Sequence, residues 1–161
     1  MEYTIVKATE EDREELLALY EALKGTEFCA WDEEYPGDES IDWDLSRDAL
    51  YVLKENGKIK AAISIEVDEE VDAFPFWDKE LEPFGELARL GVLPEEQNRG
   101  LARVMIRFGM DELKRRGFKG VRFMVNKQNP KAIRSYAVFG FHVAGETNIY
   151  DQDMLCYEKE L

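Results

Sequence analysis

Cysteine and histidine are almost missing from this chain: Cys29, Cys156 and a lone His142 in 161 residues. The cysteines are not at metal-ligand spacing, and His142 has no partner at the spacing of a nucleophilic triad, which argues against zinc, Ser–His and Cys–His chemistry. Cys29 reads as a partly buried thiol and His142 as a strand-surface residue. No apolar run approaches the roughly 18 residues needed to cross a bilayer. Met1-Glu2-Tyr3-Thr4 has neither the basic nor the apolar region of a signal peptide. Repeats and low-complexity tracts are missing as well. These absences predict a cytoplasmic, metal-free, single-domain protein across residues 1–161, without a membrane partner and long enough for a core.

Basic residues are also scarce, with 21 Lys and Arg against 35 Asp and Glu and a formal net charge of −14. Their placement says more than the total. Residues 27–48 hold nine acids and one base, and residues 66–82 hold eight acids and one base, whereas residues 97–134 hold eleven bases and two acids. Acidic loops that only aid solubility are one reading. The other is an acidic side set against a basic one, the basic residues surrounding an anion site. A nucleic-acid partner fits poorly, because its phosphates would meet the acidic segments.

Apolar periodicity and turn residues predict a mixed α/β protein. Residues 3–8 read as a strand, with Thr9 and Asp12 as a weak capping box before a helix that Gly25 ends. A loop with a short helix near residues 40–47 follows. Asn56-Gly57 between residues 49–53 and 59–67 signals a hairpin. After an acidic, aromatic connection come a central strand at residues 86–93 and the main helix at residues 99–116. A strand at 121–125, a helix at 130–139 and a closing antiparallel pair at 141–148 and 154–159 complete the order. The strand–helix–strand unit from Glu86 to Val125 should be a right-handed crossover between parallel strands.

Within that unit, Gln97-Asn98-Arg99-Gly100-Leu101-Ala102 joins a strand to a helix N-terminus. Unpaired backbone N–H groups and the positive end of the helix dipole favour an anion there. Gly100 lets the backbone approach a bulky phosphate, and Ala102 keeps the first turn slim. Downstream, Asn129, Ala132, Tyr136, Gly140 and Phe141 are spaced over one helix and the start of the hairpin. Asn129 is placed to cap that helix ahead of Pro130.

Together the two clusters resemble the GNAT superfamily of acyl-CoA-dependent N-acetyltransferases. Gln97, Gly100 and Ala102 match its pyrophosphate loop, Gln/Arg-x-x-Gly-x-Gly/Ala. Asn129, Ala132, Tyr136, Gly140 and Phe141 match its later Asn-x-x-Ala-x-x-x-Tyr and Gly-Phe. The resemblance implies a mixed central sheet flanked by helices, with two splayed central parallel strands that admit the acyl-CoA arm. It implies acetyl-CoA as cosubstrate and no metal. Gln97, Asn98, Arg99, Gly100, Leu101, Ala102 and Arg103 would line the pyrophosphate, and Lys131 and Arg134 would reach the 3′-phosphate. Asn129 and the backbone of Leu90-Gly91-Val92 would meet the pantetheine arm and the thioester. A homodimer through the closing strands or the aromatic connection is compatible with it.

The same resemblance makes Tyr136 the acid that protonates the thiolate and Glu86 the base that takes the amine's proton. Each has a plainer alternative. Tyr136 packs beside Phe139, and Glu86 faces solvent or pairs with Arg89 at a strand end. Gly91 marks either a bulge or close packing. The acidic segments border the acceptor side in the family, so the expected acceptor is a cationic amine on a small molecule or peptide. Trp31, Trp43, Phe74, Phe76 and Trp77 are flat walls for it or core plugs under long loops. A non-catalytic acyl-CoA-binding module is the alternative to an enzyme; it would need neither Tyr136 nor Glu86. Gly140-x4-Gly145-Glu146-Thr147 imitates a nucleotide P-loop, but Glu146 replaces the required lysine with the opposite charge.

Overall fold

The computed structural model describes residues 2–26, 29, 31–149 and 151–161, so residues 27, 28 and 30 of the first acidic segment lie outside it. Strands and helices run β1 (Thr4–Lys7), α1 (Arg13–Leu23), α2 (Asp38–Ser46), β2 (Leu50–Glu55), β3 (Lys58–Glu66), a short α3 (Glu69–Asp72), β4 (Phe84–Val92), α4 (Leu101–Arg115), β5 (Gly120–Asn126), α5 (Pro130–Ala137), β6 (His142–Ile149) and β7 (Gln152–Glu160). The strands form one seven-stranded sheet in the order β1-β2-β3-β4-β5-β7-β6. All neighbours are antiparallel except β4 and β5, the expected parallel pair.

Local chemistry accounts for the element ends. Asn56 and Gly57 take φ of 54° and 75°, the left-handed pair that a two-residue hairpin requires, and set Glu55 opposite Lys58. The Thr9 N–H donates to the Asp12 carboxylate at 2.9 Å, fixing the turn ahead of α1. Helix α4 buries Leu101, Met105, Ile106, Met110 and Leu113, and keeps Arg103 and Arg107 outside. Gly109 brings it so close to the sheet that a Cβ there would lie 2.6 Å from Leu87.

Alternation along the strands divides the core between two faces. Tyr51, Leu53, Ile63, Leu87, Val121 and Phe123 face α4 and α5. On the opposite face, Leu50, Val52 and Ala62 pack under α1 and α2. Phe84 and Cys156 pack there against Val71, Trp77 and Leu81 of the acidic connection. That connection is therefore partly core. Trp77 is buried, donates its indole N–H to the Val71 carbonyl at 2.8 Å, and meets the Phe76 and Phe84 rings.

Two irregularities shape β4. Ala62 pairs with Gly91 and Ser64 with Ala88, so Arg89 and Leu90 together oppose Ile63 alone. This is a β-bulge, with Arg89 in the left-handed region at φ 48°. On its other side, β4 pairs with β5 only through Phe84–Gly120, Gly85–Val121 and Glu86–Arg122. Beyond that rung the parallel strands part, and the splay implied by the resemblance is present.

Candidate active site

The gap between β4 and β5 is bounded at its open end by the loop into α4. Asn98 and Gly100 both have left-handed backbones, φ 66° and 80°, and Gly100 caps α4. Successive turns of this kind gather N–H groups, and those of Leu101, Ala102 and Arg103 have no helical carbonyl ahead of them. Gln97 fastens the loop: its amide donates to the Val92 carbonyl at 3.2 Å and accepts from Lys131 Nζ at 2.7 Å. Backbone N–H groups, rather than side chains, would line a candidate anion cradle here.

The basic side chains are placed differently from expectation. The guanidinium of Arg99 pairs with the Glu55 carboxylate, 2.9 Å from Nη2, and with Glu96, because the end of the β2–β3 hairpin brings Glu55 beside it. Arg103 and Arg134 are exposed, on α4 and α5. Lys114 and Arg115 end α4, about 17–18 Å along the axis from Arg103 at about 1.5 Å per residue. Arg122 is buried on the other face. Only part of the basic region therefore surrounds the cradle. The helix rise and the strand alternation carry the rest elsewhere.

Tyr136 lies on α5, whose start is fixed as expected by Asn129, its Oδ1 accepting from the Ala132 N–H at 3.0 Å. The ring is buried and stacks on Phe123 with centroids 3.3 Å apart, edge-on to Phe141 at 5.7 Å. Phe123, on the part of β5 that has left β4, rather than Phe139, is its stacking partner. Burial pushes the phenol's pKa above its ordinary value, so it carries its proton.

Glu86 approaches the strand gap from the opposite face. It is buried, neither solvent-facing nor paired with Arg89. Its Oε1 lies 3.2 Å from Nε of Arg122, its cross-strand neighbour. Carboxylate oxygens of Glu66, Asp68 and Glu86 lie within 4.8 Å of one another. Burial above all, reinforced by Glu66 and Asp68 and opposed by Arg122, pushes the Glu86 carboxyl up to about 8. Glu66 is also raised by burial.

Arg89 and Arg122 organise this face, and no motif in the sequence points to Arg122. Arg122 is fully buried; it binds Glu86, reaches Asp72 at 2.5 Å and donates to the Asp68 carbonyl at 3.0 Å. Arg89 binds Asp44 at 2.8 Å and Glu66 at 3.0 Å, with Ser64 and Tyr35 also in reach. A signal existed: Arg122 interrupts the apolar run 121–125, and a cation there must meet carboxylates. Part of the acidic excess thus neutralises internal arginines.

Leu90, Gly91 and Val92 form the β4 edge of the gap. The bulge sits just before Gly91, and Gly91 itself is a close-packing glycine, since a Cβ there would lie 2.8 Å from Leu23 and 3.2 Å from Trp31. Trp31 meets Tyr20 edge-on at 5.6 Å, and Phe74 and Phe76 pack with Trp77, as plugs. Trp43 and Tyr35 remain exposed. His142, on an exposed strand, lies 2.7 Å from Glu158, and Gly145 of the P-loop look-alike is inside β6. Both thiols are free, Cys29 partly and Cys156 fully buried.

A mixed sheet whose central parallel strands part beside a backbone anion cradle defines the class of acyl-CoA-dependent acyltransferases. Residues 16–141 match the acetyltransferase (GNAT) family, and the chain belongs to that family. An acetyltransferase of the GNAT family from Streptococcus agalactiae superposes with a TM-score of 0.81 at 18% identity, over 99% of this chain and 95% of that one. The PaiA N-acetyltransferase of Thermoplasma acidophilum, solved in complex with coenzyme A, gives 0.77 at 18% identity over 100% of both. At such identity the likeness is one of fold. Among curated relatives, a mycothiol acetyltransferase of Streptosporangium roseum is 42% identical over 60 residues, 37% of this chain and 18% of that protein. One from Kytococcus sedentarius is 36% identical over 77 residues, 48% of this chain and 26% of that protein. The chain thus matches only about a fifth to a quarter of these relatives' length.

Proposed function

We propose that the protein is a single GNAT domain that transfers an acetyl group from acetyl-CoA directly to a primary amine on a cationic small molecule or peptide. The observation that carries this reading is the opening of β4 from β5 after Glu86–Arg122, with the cradle at its mouth. The N–H groups at residues 98–103 would hold the pyrophosphate, and the free edge Leu90–Val92 the pantetheine arm. Acetyl-CoA supplies the thioester.

Glu86 takes the amine's proton, directly or through water, and Tyr136 returns one to the leaving thiolate. An alkylammonium has a pKa near 10.4. Handing its proton to a carboxyl at about 8 costs about 3 kcal/mol, against about 8 kcal/mol for a carboxyl at its ordinary 4.5. Burial of Glu86 thus fits it to this acceptor chemistry. Exposed carboxylates that no internal arginine claims, among them Glu33, Glu34, Glu69 and Glu70, support a cationic acceptor, whereas the exposed Trp43 ring is already covered by the Arg47 guanidinium. No helix among the described residues is long and apolar enough to cross a membrane.

The test is thiol release from acetyl-CoA across polyamines, aminoglycosides, peptide amines and neutral or acidic amines. Turnover restricted to cationic amines supports the reading. Preference for neutral or acidic amines removes the electrostatic part alone. Coenzyme A binding with no turnover on any amine makes the chain an acyl-CoA-binding module.

A further inference from the structure

Arg89 belongs at once to the edge of the gap and to the acidic face. Its backbone forms the bulge with Leu90 and sits at φ 48°, a conformation unfavourable for a side chain of this size unless its surroundings hold it. Its guanidinium is gripped from three elements. Nε lies 3.2 Å from Asp44 Oδ2 and 3.1 Å from Ser64 Oγ, Nη2 lies 2.8 Å from Asp44 Oδ1 and 3.0 Å from Glu66 Oε2, and Nη1 lies 3.0 Å from Tyr35 Oη. Asp44 is fully buried in α2 and also accepts from Ser64 Oγ at 2.6 Å. Ser64 and Glu66 are on β3, the strand against which the bulge forms.

We propose that Arg89 is a positioning residue: anchored on Asp44, it holds the bulge so that the Leu90 backbone faces the gap, and ties the segment at residues 35–46 to that edge. The inference rests on the acetyl-transfer reading, in which the Leu90 edge meets the thioester. A bulge re-aims the residue that follows it, and a donor misplaced by about 1 Å costs about a hundredfold in rate. Arg89 has the geometry for this because a planar guanidinium meets four oxygen-bearing side chains at once, which an ammonium cannot do.

Arg89→Met alone leaves the fully buried Asp44 without its counter-ion, which destabilises the fold, so the decisive variant is Arg89→Met with Asp44→Leu, which removes the cation together with that partner and leaves Glu66, already raised by burial, to protonate. Two measurements are made on it. The first is coenzyme A affinity by calorimetry. The second is the carbonyl stretch of bound acetyl-CoA carrying carbon-13 at the carbonyl, which reports hydrogen bonding to the thioester without any acceptor. The expected result is a folded protein with a melting temperature near wild type, coenzyme A affinity within about twofold, a carbonyl band returned to its position in free acetyl-CoA, and kcat down by about tenfold to a hundredfold on any accepted amine. A double variant whose carbonyl band and kcat match wild type overturns the proposal, since the side-chain tie would then be structural only. A wild type that does not bind acetyl-CoA at all overturns the acetyl-transfer reading itself, and this inference with it.

Discussion

Glu86 and Arg122 sit opposite one another on the last rung that β4 and β5 share, and their side chains close that rung with an ion pair of 3.2 Å. The strands part immediately beyond them. Arg122 continues outward to Asp72 and the Asp68 carbonyl, so one buried guanidinium joins the strand junction, the candidate base and the acidic connection. The base of the gap is therefore held by a buried side-chain hydrogen bond as well as by backbone pairing, and any change at Glu86 is felt in both chemistry and stability.

Glu86→Gln separates those two effects. The raised carboxyl ionises in the folded protein as pH passes about 8, so turnover by wild type should rise through that range and the variant should lose the limb. We expect kcat/KM to fall by about a hundredfold at the plateau. Stability moves the other way. A carboxyl raised from 4.5 to about 8 contributes stability that is fully present below its unfolded value and is lost as pH rises through the folded one. Wild type should therefore lose melting temperature between about pH 4.5 and about pH 8 relative to Glu86→Gln, which mimics the protonated form, with no further loss above that range. Parallel melting curves at constant ionic strength give the comparison.

Tyr136→Phe should lower kcat by about a hundredfold and leave the KM for acetyl-CoA within about twofold, because the ring stack on Phe123 and Phe141 is retained. Burial holds the phenol protonated, so it adds no limb of its own to the pH profile below its ordinary range. Tyr136→Ala should cost a further about 3–5 kcal/mol of stability through the cavity left beside Phe123. An unchanged kcat in Tyr136→Phe would assign the ring to packing alone.

The parts of this site that were legible in the sequence are those set by neighbours along the chain. Asn56-Gly57 is a turn by its own backbone preferences, and Asn129 caps because Pro130 and Ala132 follow it. The loop before α4 reads from six consecutive residues. The bulge at Arg89 and Leu90 does not, because it is a property of register against Ile63 on another strand. The extent of the β4–β5 pairing is hidden for the same reason. Arg122 lies 36 positions from Glu86 in the chain yet directly across the sheet from it, so only topology brings the two together. Charge misled most where it was read as a block: Asp44, Glu66 and Glu86 are spent on internal arginines rather than turned to solvent, and Asp72, though exposed, pairs with one of them.

Gly100→Ala tests the cradle through its backbone. The space for a Cβ is open, but φ is +80°, so the cost is conformational: about 1–2 kcal/mol for an L-residue held in the left-handed region. If the loop instead relaxes to avoid that cost, its N–H groups are re-aimed. A loop that keeps its turn loses stability alone, whereas a free loop that relaxes must be restored on binding, and we expect this second case, with coenzyme A affinity down by about tenfold, since each 1.4 kcal/mol is a factor of ten. Calorimetric titration gives the affinity, and urea unfolding gives the stability. A variant that binds coenzyme A like wild type and is also as stable, so that the loop has relaxed without consequence, would remove the left-handed turn from the recognition of the pyrophosphate.

Exposed and buried acids make opposite predictions for acceptor binding. Glu69 and Glu70 are exposed at the start of α3, next to Asp68 of the buried cluster but outside its arginine contacts. If they attract a cationic acceptor, they do so across water, where salt screens within about 8 Å at physiological ionic strength. The KM for a polyamine should therefore rise with added salt while the KM for acetyl-CoA changes less. Glu69→Gln with Glu70→Gln should raise the acceptor KM about threefold to tenfold at low salt and flatten its salt dependence, with kcat unchanged. Neither residue caps the helix, because Asp68 receives the N–H groups of Glu70 and Val71, so the fold should not respond. Steady-state kinetics at two salt concentrations decide the matter: an acceptor KM indifferent to both salt and the paired substitution would assign acceptor selection to the walls of the cleft rather than to its charge.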